Sequence, residues 1–286
     1  MKKFAVIDIG SNSVRLMLVA DGKVLYKRLQ TTRLGEGLAS SSFLMEQAIE
    51  RTAIAVADFY YSAIDERAES VFAFATAAVR SAQNRDVFLE RVKTLCGLDV
   101  EVISGEEEAE IGIGGALGGA DGGVIDIGGA STEVVVKENG ALIYKKSVNI
   151  GVVRLKDACG RNKEKLYERA YLETERFGQV PNAEMYAIGG TATTIAAWVL
   201  NLREYDSEKV TGAVVSLEQI QALVDEICAL TVEEIAAKPC VSAGRADVLA
   251  GGVILLHVLM QMLGLKRIIV SDRDNLEGYA IRKGLL

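Results

Sequence analysis

The chain of 286 residues is 50% hydrophobic and 25% charged and carries a formal net charge of −7. That length holds two modest domains or one large one, and the balance is that of a globular protein in water. The acidic excess speaks against general nucleic-acid binding, whose footprint is basic, but leaves a phosphate-rich substrate open, because the local field matters more than the net charge; no apolar run approaches the roughly 20 residues that cross a bilayer.

The amino terminus, MKKFAVIDIG, begins basic, but Asp8 interrupts its apolar stretch and no cleavage-site pattern follows. Residues 4–9 therefore read as a first strand and not as a signal peptide. A second apolar run, 14–20, ends at Asp21-Gly22, a strong hairpin signal. Helical spacing marks 44–66 and 86–95, and 71–75 and 100–103 read as strands. Ser104 followed by Glu107 matches the capping box of a helix start.

Residues 123–127 open a segment that repeats the beginning of the chain. VIDIGSNSVRLMLV (6–19) and VIDIGGASTEVVV (124–136) share strand, Asp, Gly, small polar turn and return strand, and each is followed by a second turn, Asp21-Gly22 or Asn139-Gly140. Two copies of such a hairpin indicate a duplicated domain. Beyond it come a helix over 162–177, a strand over 184–188, a glycine-rich turn, helices over 191–201, near 216–237 and over 244–263, and a strand over 267–270. The run GGALGGADGG (114–123) reads as a hinge, since glycine permits backbone changes that other residues resist. His257, inside GGVILLHVLMQML, reads as a hydrogen-bonded core histidine. Cys96, Cys159, Cys228 and Cys240 form no C-x-x-C pair and read as reduced thiols of a cytoplasmic protein.

At each hairpin tip glycine lets backbone N–H groups point at an anion, and serine and threonine add hydroxyl donors. The aspartate before the glycine would repel a bare phosphate. It fits if it holds a divalent cation directly or through water, because Mg²⁺ takes one or two carboxylates and keeps several waters. One such turn is an ordinary hairpin; two matched copies predict hairpins facing each other across an interdomain cleft, with phosphates clamped between them. The turn IGGTATT (188–194) offers either a threonine helix cap or an anion or nucleotide site at a helix amino terminus. It matches neither a G-x-G-x-x-G nor a Walker A sequence. In the acidic turn after Ser104, Glu107 takes the cap, and spacing leaves Glu106, Glu108 and Glu110 as alternatives for a functional carboxylate.

The segments IDIGSNSVRL (7–16), TAAVRSAQN (76–84), VISGEEEAEIG (102–112), VIDIGGASTE (124–133), IGVVRL (150–155), AIGGTATTIAA (187–197), GRADVLAGG (244–252) and VSDRDNLEG (270–278) span nearly the whole chain. In that order they resemble the exopolyphosphatase and guanosine pentaphosphate phosphohydrolase (Ppx/GppA) family. The resemblance implies an α/β fold of two ribonuclease-H-like domains, of the actin/hexokinase/Hsp70 type, around a central cleft. The repeat agrees with it and divides the chain at 1–120 and 121–275, with a C-terminal helix near 276–286 packing back onto the first domain.

By the same resemblance Glu108 is the catalytic base and Arg80 a guanidinium for phosphate. Asp126 and its counterpart Asp8 hold Mg²⁺ or its waters. Glu133 is a second carboxylate near metal or water; by position alone it is equally an outward strand residue. Ser11, Asn12 and Ser13 face Gly128, Gly129, Ser131 and Thr132 as phosphate donors, joined by Gly190, Thr191, Arg33 and Arg15. Lys145, Lys146, Arg161, Lys163 and Lys165 form either a basic track for a long polyanion or scattered surface charge.

The second loop reads GGAST where the family usually has GGGST, and SDRDNLEG lacks the usual small and apolar residues after Ser-Asp. The chain stops after the two actin-like domains, without the further helical domains of longer relatives, which speaks against long-chain processivity. The implied activity is Mg²⁺-dependent release of terminal orthophosphate from inorganic polyphosphate, or the same chemistry converting pppGpp to ppGpp. A nucleotide-dependent kinase or ATPase and a non-catalytic phosphate-binding regulator are the other readings, and a homodimer follows from the resemblance alone.

Overall fold

The computed structural model describes residues 2–242 and 244–286. Strands β1 (Lys3–Ile9), β2 (Ser13–Ala20) and β3 (Lys23–Thr31) form an antiparallel meander. Asp21 and Gly22 make its second turn with φ of 48° and 74°, the paired positive values a type I′ hairpin needs. Helices α1 (Leu38–Ser41) and α2 (Glu46–Asp65), β4 (Ser70–Ala75), α3 (Ala77–Ser81), α4 (Arg85–Cys96), β5 (Val100–Val102) and α5 (Gly105–Leu117) follow. β4 runs parallel to β1 and β5 to β4, giving the order β3-β2-β1-β4-β5.

The plan then repeats. β6 (Gly122–Ile127), β7 (Thr132–Glu138) and β8 (Ala141–Val148) form the second meander, with Asn139 and Gly140 at φ of 52° and 77°. The rest comprises α6 (Val152–Cys159), α7 (Lys163–Thr174), β9 (Met185–Ile188), α8 (Gly189–Val199), α9 (Ser207–Val210), β10 (Val214–Ser216), α10 (Leu217–Ala229), α11 (Val232–Ala236), α12 (Ala246–Met262), β11 (Arg267–Val270) and α13 (Asn275–Arg282). The second sheet, β10-β11-β9-β6-β7-β8, is the first with an antiparallel edge strand added. Among the described residues no helix is long and apolar enough to cross a membrane.

The two faces of the first sheet have different partners, as strand alternation requires. Ala5, Ile7 and Ile9 join Ile49, Phe59, Phe88 and Val92 of α2 and α4, while Val6, Met17 and Phe74 meet Ile111, Leu276 and Tyr279. α13, at the end of the chain, therefore covers a sheet made at its beginning. α12 is apolar on all sides because it is buried in the second core, and its His257 Nδ1 lies 3.0 Å from the Tyr167 hydroxyl, a satisfied core histidine as expected.

Three segments depart from the expectation. Residues 114–117 of the expected hinge belong to α5 and 122–123 to β6, so only 118–121 link the two. Gly115 of α5 and Gly278 of α13 are needed because the two helices cross with almost no separation: a Cβ on Gly115 would lie 1.9 Å from the Asp274 carbonyl oxygen, and one on Gly278 1.7 Å from that of Ile111. Residues 152–159, preceded by Gly151, form a helix whose N-cap offers no side-chain bond, so no start signal marked it. Finally, α8 begins at Gly189, inside the expected turn.

The glycine crossing carries opposite expectations at neighbouring positions. Gly278→Ala should destabilise the protein by about 1–3 kcal/mol through overpacking. Gly114→Ala, with nothing within 4 Å of the added Cβ, should be neutral or stabilising by up to about 1 kcal/mol. Urea melts of the two variants measure both.

Candidate active site

Each hairpin loop is held by its carbonyls and leaves its amides open. In the first, the Asn12 carbonyl accepts from the Thr32 and Arg33 amides at 3.1 and 2.9 Å, and the Ser11 carbonyl from Gly35 at 2.8 Å. In the second, Val152 donates to Gly128 at 3.0 Å and Val153 to Gly129 at 2.8 Å. The unforeseen α6 is thus the brace of the second loop, and Arg154 Nε adds a bond of 2.8 Å to the Ala130 carbonyl. Gly151 must be glycine there, since a Cβ would come within 2.6 Å of the Gly128 oxygen. Among the described residues the amides of Ser11, Asn12, Gly129, Ala130 and Ser131 have no partner. Runs of open amides of this kind make anion-binding concavities. The loops meet tip to tip, a Gly129 Cβ falling 2.7 Å from that of Ser11, at the wall of a cavity of about 1670 Å³.

The carboxylates divide sharply. Asp8 and Arg15 are directly opposite on β1 and β2, and Asp126 and Glu133 occupy the same places on β6 and β7. Arg15 binds Asp8 through Nε at 3.0 Å and through Nη2, and reaches Asp274 through Nη1. In the second hairpin two carboxylates face each other with no cation between them. Glu133 is buried rather than outward; Ser147 donates to its Oε1 at 2.6 Å, and its Oε2 has no partner. Burial, then the charges of Glu108 and Asp126, push its carboxyl well above the usual range. Asp126 accepts from Asn275 at 2.9 Å, and burial followed by the Glu108 and Asp274 charges raises it to about 7.

Of the acids in the first turn of α5 only Glu108 turns inward. Glu107 closes the capping box with Ser104, and Glu106 and Glu110 pair with Lys145 at 3.4 and 2.7 Å. Arg80 Nη1 donates to Glu108 Oε2 at 2.8 Å and to the Ile103 carbonyl at 3.0 Å. Burial raises the Glu108 carboxyl, with Arg80 opposing the shift.

The structure brings Asp8, Ser11, Asn12, Ser13, Arg15, Glu108, Asp126, Gly128, Gly129, Ser131, Gly190 and Thr191 to one cavity. Others are engaged elsewhere. Arg80 stands behind Glu108 and off the cavity lining. The Thr132 hydroxyl donates to the Ile150 carbonyl at 2.6 Å, and that of Thr191 to Ile127 at 3.1 Å. Arg33 is drawn away to Asp247 at 3.0 Å. Of the basic track, Arg161 serves the carbonyls of Ile227 and Leu230, Lys145 the α5 acids and Lys163 Asp225. Sequence reasoning missed Arg245, which stacks over Gly190 so closely that a Cβ there would lie 1.7 Å from Nη1. Its guanidinium lines the cavity with no hydrogen bond or ion pair among the described residues. Burial, then the charge of Arg15, lowers it to about 10.

Two matched sheets, a cleft walled by open loop amides and a buried carboxylate backed by arginine define a phosphate-handling protein of the actin-like, ribonuclease-H-like architecture. Residues 17–286 match the Ppx/GppA phosphatase family, and the chain belongs to that family. It is 30% identical to "Exopolyphosphatase 2" of Mycobacterium tuberculosis over 98% of both chains. It is 31% identical to the "Guanosine-5'-triphosphate,3'-diphosphate pyrophosphatase" of Photobacterium profundum, covering 99% of itself and 58% of that protein. Among solved structures, the Aquifex aeolicus family member superposes with a TM-score of 0.80 at 32% identity, covering 99% of this chain and 98% of the other. An exopolyphosphatase-like protein superposes at 0.92 with 25% identity, over 99% and 98%.

The raised Asp126 carboxyl makes folding stability fall as pH rises. Between the unfolded value near 3.8 and the folded value of about 7, the folded state holds a proton that the unfolded state has lost. The contribution is therefore whole below that window and gone above it, with a slope of at most about 1.4 kcal/mol per pH unit. Urea melts of the metal-free protein from pH 4 to 8 should show Asp126→Asn declining less steeply than the wild type.

Proposed function

We propose that this chain releases terminal orthophosphate from inorganic polyphosphate. The observation that carries the reading is the buried Glu108 carboxylate, held by Arg80 at 2.8 Å on the wall of a cavity formed by two loops of open amides. The terminal phosphoryl group lies on the amides of Ser11, Asn12, Gly129, Ala130 and Ser131, which oppose its charge without reorganising. Arg245 meets the phosphates further along the chain, its planar guanidinium suiting bidentate contact. Glu108 accepts the proton of the attacking water, its affinity for that proton raised by burial toward the working pH. The bond from phosphorus to the bridging oxygen breaks, and orthophosphate and a chain one unit shorter leave. Arg80 acts here as a positioning residue for Glu108.

A divalent cation fits the second hairpin, where Asp126 faces Glu133 and Glu133 Oε2 is unpartnered. The donors are all oxygen, as Mg²⁺ prefers. Among the described residues no three acid, histidine or cysteine side chains are placed to hold a metal by themselves, so the ion would take one or two carboxylates and complete its shell with water and phosphate. Asp126 and Glu133 would hold Mg²⁺ or its waters, and the ion supplies positive charge against the phosphoryl oxygens. Asp8, bound to Arg15 through Oδ2, has only its buried Oδ1 to offer. The division into 1–120 and 121–275, a cytoplasmic location, which the four free cysteines suit, and a homodimer belong to the same reading.

A second substrate, pppGpp, is supported by the pyrophosphatase relative and by a cavity of about 1670 Å³, larger than the roughly 300–1,000 Å³ of a drug-sized ligand. Phosphate release from medium-chain polyphosphate, tripolyphosphate and pppGpp separates the two. Glu108→Gln, which keeps the Arg80 contact, should lower kcat on the preferred substrate by about 10²–10⁴-fold, the usual reach of a general base. Full activity of that variant on every substrate would sink the mechanism.

A further inference from the structure

Asp274 divides its two oxygens between two tasks. Oδ1 accepts the Leu276 amide at 3.0 Å as the N-cap of α13, and Glu277 returns the bond to the Asp274 amide at 3.1 Å. Helix capping needs an acceptor and not a charge, and asparagine caps as well as aspartate. Oδ2 holds Arg15 Nη1, whose Nε and Nη2 are already on Asp8. With all three arms engaged by two carboxylates, the triad carries net negative charge at the wall of a cavity whose loop amides face anions. Arg245 lies on the same cavity with its donors open. Without Asp274 the cleft would present the Arg245 guanidinium and one arm of Arg15 to an anion; with it, Arg245 alone.

We propose that Asp274 is a specificity-determining residue that, by engaging Arg15 Nη1, keeps that arm away from the phosphates and so limits the grip of the cleft on polyanions. The proposal rests on the phosphohydrolase reading of the cleft. Charge at this position opposes tight binding of substrate and of product orthophosphate alike, leaving turnover less limited by release. Its action runs through Arg15, which it positions, and not through contact with the reacting atoms.

The experiment uses the full chain and two variants that keep the helix cap, Asp274→Asn and Asp274→Ser. Binding of imidodiphosphate, a non-hydrolysable probe, is followed by calorimetry, and KM and kcat are measured on medium-chain polyphosphate. Both variants should bind the probe about tenfold more tightly, the size of one charge-assisted hydrogen bond gained. KM should fall by a similar factor with no rise in kcat. In an Arg15→Lys background, where the fork is absent, the gain should shrink to less than about threefold. Unchanged or weaker binding in the variants that fold, or a gain of full size in that background, would overturn the proposal. If the wild-type chain released no phosphate from any phosphoanhydride, the hydrolase reading would fall, while the probe titrations would still decide the role of Asp274.

Discussion

Carboxylates that face each other across an antiparallel pair repel, and burial makes each charge harder to hold. Asp126 and Glu133 are in that position on β6 and β7, and the surroundings answer them with donors. Asn275 donates to Asp126 at 2.9 Å, and Gly189 packs against it so closely that a Cβ there would lie 2.6 Å from Asp126 Oδ1. Ser147 meets Glu133. Dipolar donors soften the repulsion without cancelling it, and the carboxyls stay displaced upward. The first hairpin, with the same backbone plan, places Arg15 where the second has Glu133. One duplicated unit thus pairs its carboxylate with an arginine across the hairpin, and the other leaves two carboxylates facing each other with no basic side chain between them.

The cleft between these walls is drawn together by dispersed contacts. Arg33 and Lys156 share Asp247 at 3.0 and 2.5 Å, and the Gly37 amide donates to Asp157 at 2.9 Å. Arg33 is 37% exposed, so its pair contributes little individually. Such links suit a cleft that must admit a polyanion and release phosphate. The α5–α13 crossing, where backbone touches backbone, is the opposite kind of contact and leaves no room for an added side chain.

The hairpins, their I′ turns and the capping box on Ser104 were legible because each depends on residues adjacent in sequence. The repeated VIDIG run made the two-sheet plan readable before any tertiary contact was known. α6 was not, because a glycine N-cap gives no start signal and what stabilises the helix is the loop it braces. Arg33 reads locally as an anion ligand, but its partner Asp247 lies far along the chain. Arg245 lies inside GRADVLAGG, one of the segments that carry the resemblance, but nothing in that segment shows which side chain faces the cleft. Its role follows from Gly190, whose missing side chain makes room for it, and a glycine explains its neighbour only once both are in place.

The position of Glu108 links the legible to the illegible. Glu107 must turn back to the Ser104 amide, at 2.9 Å, to close the capping box. Successive helical side chains differ by roughly 100°, so fixing Glu107 on the solvent side of the first turn fixes the direction of its neighbour. Glu108 then lines the cleft, backed by Arg80 from behind, while Glu106 and Glu110 remain outside on Lys145. The cap takes Glu107 out of the choice, and the packing of α5 decides which of the other three acids turns inward. Spacing alone left those three equivalent because the inward direction is defined by β7 and β8, against which α5 packs.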